Sequence, residues 1–293
     1  MTASDIIAIA ARAVALAAIV VMTGAVVFYW LVARRADGSA TFPAKVGMRA
    51  AACVLLVSPA RLYMQARALV DAGDPVAPMM ANVLHTPWGR ALMLQAAAVL
   101  LALVAFLLVQ RRGRVGWWLA LVPVFALCCT PALMGHAAAA EQYANVSIAV
   151  DSLHVVAAGG WIGALFLLAL TIRSLEPSVT SGAQAATLIE LFHPVALWCT
   201  GALLVTGVMN LSFRVLHFRE LLTSQYGAII AIKVALTLGV AGIGFHHSRR
   251  GALLARAHGT AAVRKTLIAE SVTAVLVLIA TAVLVGTSPP GAM

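Results

Sequence analysis

Charge is what this sequence has least of. Only 10% of its 293 residues are Asp, Glu, Lys or Arg, and just ten of those are acids. Water-soluble domains carry about 25% charged residues, so a soluble globular chain is excluded. Aromatic residues are sparse at 6%. The four cysteines, Cys53, Cys128, Cys129 and Cys199, all fall inside apolar runs. Thiols held in a bilayer do not form the disulfide framework of a small secreted domain. They read first as small residues packed among helices. The marks of an enzyme are missing too. There is no HExxH, no Ser/His/Asp order and no phosphate-cradling glycine loop. Without an ATP-binding loop or a phosphorylated-Asp motif, a primary pump is excluded as well.

What is present is apolar length. Hydrophobic residues make up 62% of the chain, and the mean hydropathy is +0.98. A helix needs about 20 apolar residues to cross a bilayer. Eight runs meet that length: 6–32, 46–70, 91–109, 117–135, 146–172, 188–211, 228–245 and 267–285. The expectation is an all-α, polytopic membrane protein with eight transmembrane helices and the lipid bilayer as its principal partner. The N-terminal "MTASDIIAIA" has no basic region and no cleavage site, so it reads as the opening of the first span.

The formal net charge is +10. The positive residues sit in short loops, where they act as topology signals and lipid-headgroup contacts and not as a nucleic-acid surface. Alternate loops hold 13 of the 20 basic residues: Arg34, Arg35, Lys45 and Arg49; Arg111, Arg112 and Arg114; Arg173; Arg249, Arg250, Arg256, Arg264 and Lys265. The positive-inside rule places these loops in the cytoplasm and both termini outside. The opposite loops hold Asp71, Asp74, Glu141 and Asp151.

Two stretches resemble each other. "HTPWGRALMLQAAAVLLALVA" opens the third run and "TSQYGAIIAIKVALTLGVAG" the seventh. They align Trp88-Gly89 with Tyr226-Gly227 and Gln95 with Lys233. Gly24 likewise aligns with Gly163, and "LMGHA" with "LVGTS". This order suggests two four-helix halves, 1–140 and 141–293, in the same orientation and integrated into one membrane domain. An axis along the membrane normal would relate them.

Polar side chains inside a membrane protein are costly, which makes each a functional candidate. Asp151 and His154 are one helical turn apart on the outer end of run 5. Run 4 ends in "FALCCTPALMGHA", with Cys129 and His136 on one stripe and Cys128 and Met134 beside it. A loop of about ten residues then leads to run 5, so runs 4 and 5 are expected to be antiparallel neighbours. Met79, Met80 and His85 lie in the segment between runs 2 and 3, on the same face. Imidazole suits copper and zinc, while thioether and thiolate select Cu(I). Together these residues form a candidate copper-collecting surface. Asp151 is either a ligand or the group that orients an imidazole.

Gly159 and Gly163 form a GxxxG pattern that permits close helix packing, with Trp161 between them. Lys233 and Arg61 are buried cations, and no acid sits deep in a span to pair with them. They either snorkel to the headgroups or face an inner polar cavity that Asn210 also lines. His193, His246, His247 and His258 lie towards the basic face.

The stretches "GHAAA", "DSLHVVAAGGWIGAL", "FHPVALWCTGALLVTGVMN" and "QYGAIIAIKVALTLGVAG", which cover spans 4 to 7, resemble the copper resistance protein D (CopD) family of bacterial inner-membrane proteins. The resemblance implies eight helices and copper import across the cell inner membrane. It also implies a small periplasmic copper-binding partner of the CopC type, expected as a separate chain because no soluble copper domain is fused here. Matched by motif, the implied functional positions are His136, Asp151, His154, Trp161, Asn210 and Lys233. Position 193 is His where the family pattern implies a small residue, which weakens a family role for His193.

Three functions remain open at this level. One is a copper transporter, whether facilitator or gradient-coupled. Another is an electron carrier holding haem b, with His136 and His154 as outer ligands and His193 and His246 as inner ones. The third is a sensor or assembly factor that binds copper ion without moving it.

Overall fold

The computed structural model of the chain describes residues 3–36, 38–71, 73–135, 143–176, 178–214 and 218–287. Among them there is no strand, and eight helices are long and apolar enough to cross a membrane. Spans 1 to 4 are α1 (Ala3–Leu31), α2 (Thr41–Arg67), α4 (Pro87–Arg112) and α5 (Arg114–Met134). Span 5 is composite. It runs through α6 (Ala144–Ala158), a π-helical turn (Gly159–Gly163) and α7 (Ala164–Ser174). Spans 6 to 8 are α8 (Val179–Ser212), α10 (Gln225–His258) and α11 (Ala261–Val285).

Several helices outrun their apolar stretches. The apolar run of span 6 begins at 188 but α8 begins at Val179, and α10 continues to His258 past an apolar run that ends at 245. Hydropathy marks where lipid ends. Backbone hydrogen bonding continues into the polar region, which hydropathy does not see. The segments before spans 3 and 7 are also helical, as α3 (Val76–His85) and α9 (Phe218–Thr223).

The turns from these short helices into the long ones are built alike. Thr86 caps α4 by accepting from the Gly89 N–H at 3.1 Å, and Ser224 caps α10 by accepting from the Gly227 N–H at 3.1 Å. Each satisfies one of the free donors that every helix start exposes. A Cβ on Gly89 would strike the Val83 carbonyl, and one on Gly227 would strike the Leu221 carbonyl. Both glycines are therefore fixed by the approach of the preceding short helix.

The helices pair in a regular order. In the first half α1 packs on α2, α2 on α4 and α4 on α5; in the second α6 packs on α8, α8 on α10 and α10 on α11. The two sets meet along spans 1 and 5, with α5 against α6 and α1 against α11 on either side. Span 5 is the most enclosed, with 67% of its apolar window buried, against 6% for span 7.

The contact between spans 1 and 5 is backbone to backbone. A Cβ at Gly24 would collide with the main chain of Gly163, and one at Gly163 would collide with the Val20 carbonyl and meet Gly24 Cα at 2.9 Å. Gly159 faces the Thr23 side chain. Removing side chains at these positions is what lets two spans in lipid approach this closely. Elsewhere in the first half the space is filled by aromatic rings. Tyr29 stacks on Trp117 with centroids 4.3 Å apart, and Phe106 meets the Trp117 edge at 5.7 Å. All three are buried.

Candidate metal site

Two helical stripes face each other at the end of the bundle opposite the basic loops. α6 carries Asp151 and His154 one turn apart. α8 carries Thr206 and Asn210 four residues apart, and Arg214 follows four residues later, just past the helix end. Such spacings place each set on one helix face. His154 Nδ1 lies 2.9 Å from Thr206 Oγ1. Asn210 Nδ2 donates to Asp151 Oδ1 at 3.1 Å, and Arg214 Nη2 reaches the same oxygen at 3.4 Å.

The hydrogen bonds fix the tautomer of His154. The Thr206 hydroxyl donates to the Ala202 carbonyl at 2.6 Å, so towards the imidazole it acts as acceptor. Nδ1 therefore carries the hydrogen, and Nε2 presents its lone pair. A metal-binding histidine is commonly held this way, with one ring nitrogen anchored and the other free for the ion. The ring edge also packs near Gly207, where a Cβ would lie 3.6 Å from His154 Cε1.

Lys233 is half-buried on α10. An acid does stand at a matching depth, on another span. Asp151 lies seven residues into α6 and Lys233 eight into α10, counted from helix starts at the same face, Ala144 and Gln225. At about 1.5 Å per residue both lie roughly 11 Å along their helices. Asn210 Oδ1 and Arg214 Nε are buried with no hydrogen-bond partner among the described residues, which leaves polar valences open beside Asp151.

Arg61 also has partners, though not an acid. Its Nη1 donates to Gln95 Oε1 at 2.6 Å and its Nη2 to Met134 Sδ at 3.1 Å. Gln95 Nε2 in turn donates to Thr130 Oγ1 at 2.7 Å. The guanidinium is thus satisfied inside the first half and does not snorkel.

The remaining candidates are dispersed. Cys128 is buried with Sγ 3.2 Å from Thr23 Oγ1, and Cys129 Sγ points to the Phe125 carbonyl at 3.9 Å. Met79 and Met80 are half-buried and His85 is exposed, all on α3. Trp161 is buried in the π turn. His136 and the side chain of His247 lie outside the described residues. Among the described residues no group of three or more His, Cys, Asp and Glu side chains comes together as a preformed metal cage. Reading the sequence missed Thr206 and Arg214. Their signal was present as the four-residue spacing Thr206, Asn210, Arg214 along one helix.

These features define a class: a multi-pass helical membrane protein with an anchored histidine and a charged cluster between spans 5 and 6. Comparison with known proteins narrows it. The family profile for copper resistance protein D matches residues 186–284, and that for the copper resistance protein D-like N-terminal domain matches residues 1–146. Copper transport protein CutJ of Bacillus subtilis (strain 168) is 30% identical over 214 residues, which cover 71% of this chain and 38% of that protein. The chain therefore spans well under half the length of this relative. No solved structure matches it. The chain belongs to the copper resistance protein D family.

Proposed function

We propose that the protein carries copper across the bacterial inner membrane, from periplasm to cytoplasm, with His154 as the first buried ligand. The observation that carries this reading is the anchored imidazole. Nδ1 is held by Thr206 at 2.9 Å, which leaves Nε2 aimed away from its anchor as a copper donor. Family membership and the name of the CutJ relative support copper as the cargo. The charge asymmetry of the loops supports the direction, because it puts the His154 end of the bundle outside.

In this reading Met79, Met80 and His85 collect copper at the outer surface, and His136 passes it to His154. Met134, Cys128 and Cys129 on span 4 are further soft donors in this reading. Asp151, positioned by Asn210 and Arg214, offers a carboxylate beside the imidazole. A small periplasmic copper-binding protein of the CopC type is the donor. With no nucleotide site in the sequence, movement is facilitated or gradient-coupled.

The test is copper accumulation by cells expressing the protein, with metal measured in washed cells. His154→Ala is expected to bring accumulation down to the level of cells lacking the protein. Accumulation equal to wild type would remove His154 from the mechanism.

A further inference from the structure

The second half contains a cavity of about 270 Å³ between spans 5, 6, 7 and 8. Its polar lining comes from His193 and Thr200 of α8 and Glu270 of α11, set among apolar groups that include Trp161, Leu168 and Gly244. The corresponding place in the first half is occupied by aromatic rings. The alignment that pairs Gln95 with Lys233 pairs Phe106 with Gly244, and the one that pairs Gly24 with Gly163 pairs Tyr29 with Leu168. Phe106 and Tyr29 are two members of the aromatic cluster on Trp117. Where one half is plugged by rings, the other has a glycine and a leucine around an open volume.

Glu270 is 3% exposed within a span. Its carboxylate packs on the Gly244 backbone, where a Cβ would come within 2.7 Å of Oε1. The glycine that opens the cavity therefore also makes room for the acid. His193 is exposed and stands five residues into the apolar run that begins at 188, roughly 8 Å at ~1.5 Å per residue, where an imidazole within a span is a functional candidate by default.

We propose that this cavity is a second copper station, on the basic-loop side of His154, with the His193 imidazole and the Glu270 carboxylate as its donors. The proposal rests on the copper reading above and adds the place where the ion pauses after His154. A pair of side-chain donors, with the remaining positions open to water, suits an ion that must leave again. A permanently held metal takes a closed set of protein ligands. Nitrogen and carboxylate oxygen donors suit Cu(II), which is therefore the probe.

The experiment titrates the purified full-length protein with a cupric salt, measuring bound metal and the paramagnetic resonance of the bound ion. The double variant His193→Leu with Glu270→Gln is expected to lose one equivalent of copper and its nitrogen signal, while His154→Ala keeps them. Gly244→Phe, which refills the space as Phe106 does in the first half, is expected to lose the same equivalent. Wild-type stoichiometry and affinity in the double variant overturn the proposal. If the double variant does not fold, His193→Ser decides the matter, because unchanged binding and spectrum in that variant overturn it equally. The two readings fail separately. Loss of uptake in His154→Ala with unchanged binding in the His193 and Glu270 variants removes only this station. Loss of its copper equivalent in a protein that moves no copper removes only transport.

Discussion

His154 Nδ1 and Thr206 Oγ1 face each other at 2.9 Å across spans 5 and 6. This single bond both orients the imidazole and selects its tautomer. Thr206→Val keeps the shape and removes the acceptor. It is expected to weaken copper binding by about 10–100-fold, the range for losing a group that orients a metal ligand. Thr206→Ser should keep wild-type affinity. Competition of the purified variants with a copper chelator measures both, and equal affinity in Thr206→Val would show that the bond does not prepare the site.

Arg214 holds the carboxylate that copper would use. Its Nη2 lies 3.4 Å from Asp151 Oδ1. Replacing it in Arg214→Gln removes a positive charge next to a cation site. Copper affinity is expected to rise on the order of tenfold, as two like charges a few ångströms apart in a partly buried site predict. Unchanged or weaker affinity would place the ion away from Asp151.

Gln95 is the hub of the first-half network, accepting from Arg61 and donating to Thr130. Gln95→Leu strands the guanidinium among apolar helices. The expected loss is about 1–3 kcal/mol, the scale of a bond to a charged group, seen as a lower unfolding midpoint in detergent. Gln95→Glu supplies the missing acid and should preserve or raise that midpoint.

Gly163 and Gly201 separate packing from composition. A Cβ at 163 would strike the backbone of span 1, whereas one at 201 meets nothing within 4 Å. Gly163→Ala is expected to destabilise by about 1–3 kcal/mol, the scale of overpacking a tight contact. Gly201→Ala should leave the midpoint unchanged. Parallel thermal scans decide it, and equal midpoints would mean that spans 1 and 5 can separate at no cost.

The spans were legible because lipid imposes a length and an apolar composition on them. Gly159 and Gly163 stood out because small residues in a GxxxG spacing have one principal use in a membrane. Partners across helices were not legible. Nothing local to Arg61 points to Gln95, 34 positions away, or to Met134, 73 away. Asp151, at matching depth to Lys233, sits on another span. Glu270 was passed over because it lies near the start of its apolar run and belongs to no motif. Its importance comes from the space that Gly244 leaves beside it.

The π turn at Gly159–Gly163 carries a consequence for aim. Such a turn holds one residue more than an α turn, and each helical residue advances the face by about 100°. The surplus residue therefore acts as an angular offset between the two parts of span 5. At its inner end Gly163 is seated against Gly24; above it, Asp151 and His154 are turned towards α8. Deleting one residue from this turn would leave the lower seat intact and swing both side chains away from Thr206 and Asn210. The bearing of the histidine is set by a miscount in the helix, two turns away from the imidazole.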